Sequence, residues 1–152
     1  MFLKMKLNLP DFDCRITRDG ELTRIYDRLR RRYVALTPEE WVRQHFVNYL
    51  IMTLGYPAGL MANEVSLKLN STARRCDTLI YSRHGEPLAI VEYKAPTVEI
   101  TQAVFDQIAR YNMVLDTRWL MVSNGLCHYC CRFNPEAETY TFVRAIPRYD
   151  EL

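Results

Sequence analysis

Glu92 and Lys94 stand two residues apart at the end of an apolar run, Leu88-Ala89-Ile90-Val91. A strand repeats every two residues, so both side chains fall on one side of a sheet. Charges on a central strand are costly unless they are paired or hold a metal. Asp77 opens the preceding apolar piece, Thr78-Leu79-Ile80-Tyr81, and His84-Gly85-Glu86-Pro87 between the two reads as a hairpin turn. That turn would fold Asp77 back to Glu92 and Lys94. Two carboxylates with room for water and a phosphate suit Mg2+ or Mn2+. The ion would polarise a phosphoryl group and acidify a bound water, while the lysine neutralises developing charge. The competing reading is a buried Glu–Lys ion pair with Asp77 as a turn cap. Gln107 and Tyr111, four apart, share a helical face. Their amide and hydroxyl can bond a phosphate or orient a metal-bound water, or they can be a core-edge tyrosine beside a solvated glutamine.

Elements must position these groups. Thr37 suits an N-cap, Pro38 the first helical position, and Glu40 the third residue of a capping box. Val42, Phe46, Val47, Leu50 and Leu54 give that helix an apolar face, and Gly55 stops it. Strands are predicted over 61–70, 75–82 and 87–95, antiparallel in one sheet. A helix over Thr101–Leu115 follows, with Val104, Ile108, Tyr111 and Leu115 inward. The strand at 118–124 should then run parallel to the third, because a helical crossover precedes it. Asn124-Gly125 is a hairpin signal before a strand at Cys127–Phe133, and Glu138–Val143 reads as an edge strand. The pattern is α/β: a mixed sheet flanked by helices. It fits one domain over 1–152, with an N-terminal arm (1–36), a core (37–133) and a tail (134–152).

The chain has 152 residues, of which 49% are apolar and 25% charged, which excludes disorder and collagen-like repeats. No apolar run approaches the roughly 20 residues of a membrane-spanning helix. No Gly-x-x-x-x-Gly-Lys loop is present, so no ATP-driven motor is expected within this chain. Five cysteines and a start, Met1–Lys6, unlike a signal peptide point to reduced thiols in a cytoplasm. Cys127, His128, Cys130 and Cys131 are too close along one strand for a zinc site and read as core residues. The net charge is +2, but Arg15–Arg32 holds seven arginines against three acids. Arg28, Arg30, Arg31 and Arg32 could neutralise DNA phosphates, or form a solvated face.

The segments Arg32-Tyr33-Val34-Ala35-Leu36-Thr37-Pro38-Glu39-Glu40-Trp41-Val42-Arg43-Gln44, Leu54-Gly55-Tyr56-Pro57, Asp77, Val91-Glu92-Tyr93-Lys94-Ala95-Pro96, Gln107-Ile108-Ala109-Arg110-Tyr111-Asn112 and Ser123-Asn124-Gly125 resemble, in order and spacing, the PD-(D/E)XK nuclease superfamily. More narrowly, the chain is similar to the N-terminal nuclease domain of type I restriction enzyme R subunits over about residues 25–133. The resemblance implies a restriction-endonuclease-like core and a Mg2+-dependent (or Mn2+-dependent) endodeoxyribonuclease. Asp77 and Glu92 would be metal ligands and Lys94 the residue assisting the attacking water. Gln107 and Tyr111 would be the additional helix motif, and Glu40, with Glu39 as fallback, the first-helix acid. Cys76 stands where the superfamily name has proline. Implied partners are DNA and the motor or specificity subunits of a restriction system. A non-catalytic binding module on the same fold is the alternative.

Overall fold

The computed structural model describes residues 5–69, 71–113 and 115–152. Three short strands come first: β1 (Ile16–Asp19), β2 (Leu22–Asp27) and β3 (Arg32–Ala35), an antiparallel meander within the stretch read as an arm. Helix α1 (Pro38–Met52) follows. Then come β4 (Met61–Leu69), β5 (Thr72–Tyr81), β6 (Pro87–Tyr93), helix α2 (Gln102–Met113), β7 (Trp119–Ser123), β8 (His128–Asn134) and β9 (Thr139–Val143). These six strands form one sheet in chain order. Neighbours are antiparallel except β6 and β7, which are parallel, as the helical crossover requires.

The alternation of β6 explains why both sheet faces are covered. Ala89, Val91 and Tyr93 join Val42, Phe46, Val47 and Leu50 of α1 in one core cluster. Ile90 joins Phe105, Ile108 and Ala109 of α2 in the other. On β8, Cys130 and Cys131 fall into opposite clusters, because strand alternation sends each thiol to a different face, but Cys127, read as a core residue, lies before the strand and is exposed. Trp41 and Trp119 are both buried.

Three helix details differ from expectation. Thr37 Oγ1 accepts the Glu40 N–H at 3.1 Å, but the Glu40 carboxylate turns to Arg30 and Gln44 instead of completing a capping box. Helix α1 ends at Met52, short of Leu54. The inward face of α2 is Phe105, Ile108, Ala109 and Asn112, so Tyr111, expected inward, is 38% exposed. Gly125 has φ +84°, and a Cβ there would lie 2.7 Å from Leu7 Cδ2, so the β7–β8 turn is fitted to the N-terminal segment.

Candidate functional site

The site grows from the point where β4, β5 and β6 part. Asn63 pairs with Thr78 and Val65 with Cys76, but Glu64 between them has φ +56° and leaves the ladder. A non-glycine residue in left-handed backbone is uncommon and costs energy. Its carboxylate accepts from Arg43 of α1 and from Arg75 of β5, and these bonds together with the arginine charges hold it below the usual glutamate range despite partial burial. Asp77 lies within β5, not at its start as the sequence suggested. Thr78 pairs with Val91, so Asp77 falls beside Glu92 and Tyr93, and Tyr93 N–H donates to Asp77 Oδ2 at 2.9 Å. Arg43 Nη1 donates to the Asp77 carbonyl at 3.0 Å, tying the other side of that residue to α1.

Glu92 is where the arrangement is strained electrostatically. Its Oε1 is buried without a hydrogen-bond partner. Burial, then the neighbouring Asp77 carboxylate, push its acid well above the usual glutamate range. Lys94 follows two residues on, and its N–H donates to Ser123 O at 2.9 Å, prolonging the parallel pairing with β7. A cleft of about 580 Å³ opens here, lined among others by Glu40, Glu64, Asp77, Glu92 and Lys94. The sequence reading thus brought Asp77, Glu92 and Lys94 to one place.

The donor set fits a hard divalent cation. Two adjacent carboxylates that repel each other, one with an orphaned oxygen, face a cleft with room for water and a phosphate. Mg2+ takes one or two carboxylates and retains waters. Among the described residues no cluster of three or more His, Cys, Asp or Glu completes an all-protein cage.

Glu40 and Glu39 both line the cleft, Glu40 buried and Glu39 exposed. Both oxygens of Glu40 are occupied: Arg30 Nη2 donates to Oε1, while Gln44 Nε2 donates to Oε2 at 2.9 Å and Arg43 Nε lies 3.3 Å from Oε2. Its role is therefore to fix Arg30 and Arg43, not to offer a free oxygen. Gln107 and Tyr111 line a smaller adjoining cleft of about 220 Å³ with Glu92, Lys94 and Asn112. Gln107 is exposed, and the Tyr111 hydroxyl accepts the Arg75 N–H at 3.1 Å, so the tyrosine also pins the β4–β5 hairpin. Of the four arginines considered for phosphate, Arg28, Arg31 and Arg32 are exposed around the β2–β3 turn. Arg30 turns inward, to Asp27 and Glu40.

Sequence reasoning missed Glu64, Arg43 and Asn112. Arg43 and Asn112 sit on the buried faces of their helices, where a polar residue gives no periodic signal. Glu64 depends on a local backbone reversal that its neighbours do not announce.

A family model described as type I restriction enzyme R protein N terminus (HSDR_N) matches residues 38–147. The chain belongs to that family. The R-protein N-terminal match begins at α1 and covers every site residue from Glu39 to Tyr111. A solved fragment of a putative HsdR subunit of a type I restriction enzyme from Vibrio vulnificus YJ016 has a similar fold, with a TM-score of 0.52 at 20% identity. The similarity covers 75% of this chain and 24% of that one, so this R-protein N-terminal chain spans about a quarter of the solved chain. No curated protein matches the chain. Among the described residues, no helix is long and apolar enough to cross a membrane.

Proposed function

We propose that this R-protein N-terminal domain is a PD-(D/E)XK-type DNA endonuclease that hydrolyses phosphodiester bonds with Mg2+ or Mn2+ bound by Asp77 and Glu92. The observation that carries this reading is the orphaned, buried Glu92 Oε1 beside Asp77 at the mouth of a cleft that also holds Lys94. A purely structural domain gains nothing from two adjacent carboxyl groups of which one is buried and pushed well above its usual range by burial and by the other. Bound there, the cation would polarise the phosphate and acidify a water.

The chain's own residues supply the rest. Tyr93 N–H fixes the rotamer of Asp77, and Arg43 fixes its backbone. Lys94, with three donors and no acceptor, is not a ligand; its ammonium stabilises negative charge building on the phosphoryl oxygens and orients the attacking water. Gln107 and Tyr111, on the adjoining cleft, border the path by which the substrate strand leaves Lys94. The reading calls for a cytoplasmic protein working with the motor and specificity subunits of a restriction system.

A plasmid-cleavage assay tests it. Wild type should nick or linearise DNA with Mg2+ or Mn2+ and not with EDTA, and Asp77→Ala and Glu92→Ala should abolish cleavage. Absence of metal-dependent cleavage on every DNA form, with or without motor subunits, would refute it.

A further inference from the structure

The β4–β5 hairpin outruns its sheet. Pairing of β5 with β6 spans Thr78 to Tyr81, whereas pairing with β4 continues out to Leu69 and Thr72. Residues 65–69 and 72–76 therefore form a two-stranded ribbon beyond the main sheet, starting beside Asp77. A free two-stranded ribbon is marginal in water. This one is braced on one face. Val65, Leu67 and Cys76 pack against the α2 cluster, the Arg74 guanidinium lies 4.7 Å from the Tyr111 ring centre, and the Tyr111 hydroxyl takes the Arg75 N–H.

The other face is exposed among the described residues, with the Glu64 carboxylate bonded to Arg75 at its inner end. Ser66 pairs with Arg75 and Lys68 with Ala73, and all four are exposed. Strand alternation sets them on one side. Between residues 65 and 76 there are Lys68, Arg74 and Arg75 and no acid. Two cations separated by small side chains make a flat basic strip that starts at the catalytic cleft, since Arg75 also holds Glu64. The major groove of duplex DNA admits a two-stranded ribbon, and cations beside it neutralise phosphates.

We propose that the exposed face of this ribbon is a docking surface for the phosphate backbone of duplex DNA, with Lys68 and Arg75 as the contacting cations. This deepens the nuclease reading by naming where its substrate lies, and rests on that reading for the identity of the ligand. The strip leads the duplex from the ribbon tip to Asp77 and Glu92.

The test is duplex binding by fluorescence anisotropy in EDTA, over a range of salt, with cleavage measured separately in Mn2+. Lys68→Ala should lower the slope of log affinity against log salt by about 0.9, and the Lys68→Ala/Arg75→Ala pair by about 1.8. Ala73→Glu, which adds repulsion and removes no contact, should weaken binding without lowering the melting temperature. Arg83→Ala, an equal charge loss at the opposite end of β5, should leave the slope unchanged. Wild type that binds with this slope pattern but never cleaves leaves the docking surface standing and defeats the nuclease reading. Wild type that cleaves while Lys68→Ala and Ala73→Glu bind as wild type defeats the docking surface alone. Failure of wild type to bind duplex in EDTA overturns the docking surface, and the nuclease reading then rests on the cleavage assay.

Discussion

Replacing Asp27 with alanine should be among the most damaging single changes in the chain, although Asp27 touches no proposed catalytic group. Its side chain is fully buried at the end of β2. It accepts the N–H of Leu29 at 2.7 Å and of Arg30 at 3.1 Å, the Nδ2 of Asn63 at 2.9 Å, and the Nε of Arg30. Burial alone would push its acid up, but the bonds from Asn63 and Arg30 and the arginine charge hold it below the usual aspartate range. Alanine leaves a mostly buried guanidinium half-paired and an amide without its acceptor. Breaking a buried ion pair from one side costs about 3–5 kcal/mol. For a domain of this size that is a fall of roughly 6–20 °C in melting temperature. The sign with pH follows from the depressed value. The stabilisation is present above about pH 3.9, the unfolded-state value, and is lost as pH falls through the lower folded-state value. Urea melts of wild type and Asp27→Ala from neutral to acid pH measure this, with Asp19→Ala on the exposed strand β1 as control. A difference below about 1 kcal/mol, or one that grows on acidification, would refute the reasoning.

Lys94→Ala should keep Mn2+ affinity and lose cleavage by about a hundredfold or more, read by isothermal titration and by plasmid nicking on the same sample. A drop in metal affinity or in melting temperature with cleavage intact would make Lys94 a packing residue. Glu92→Gln should lose Mn2+ affinity, yet in EDTA gain stability over wild type as pH rises. The wild-type acid is raised by burial and by Asp77, so it destabilises the fold increasingly above the ordinary glutamate range of about 4.3. Thermal melts at about pH 5 and about pH 9 decide this, and a gap that does not widen contradicts it. Gly125→Ala should cost about 1–3 kcal/mol in urea melts, because alanine must adopt a left-handed φ and displace Leu7.

The central acids and lysine were legible because strand period and an apolar run leave little freedom. Once Leu88–Val91 is a buried strand, Glu92 and Lys94 must share a face, and the turn at Gly85 returns Asp77 to them. Along helix α2 and just past its end, Val104, Ile108 and Leu115 pack against the core as their spacing predicts, but Tyr111 does not. The buried face is completed by Phe105, Ala109 and Asn112, and the polar Asn112 hides that set from the apolar pattern. The N-terminal meander left almost no pattern, since β1 is exposed at all four positions and a two-sided polar strand has no period to detect. A run of arginines suggested one basic surface, but charge alone does not say which member finds a buried acid. Asp27 claims Arg30, and the sequence carries no mark of that choice.

From the buried Asp27 to β4, ion-paired charges alternate behind and along the cleft: Asp27, Arg30, Glu40, Arg43, Glu64. Arg30 and Arg43 are each answered by the acids they bond, so this wall offers a phosphate no free cation, and Glu39 adds an exposed negative charge. The positive charge a passing polyanion could sense there then depends on Asp77, Glu92 and Lys94. Without the ion the raised Glu92 acid keeps its proton, and the Asp77 carboxylate and Lys94 ammonium offset each other. A divalent cation between the acids would displace that proton and leave one net positive charge. The paired wall thus leaves the cleft's polarity to a single binding event, and a duplex already held on the ribbon would be drawn into the cleft once the ion is in place.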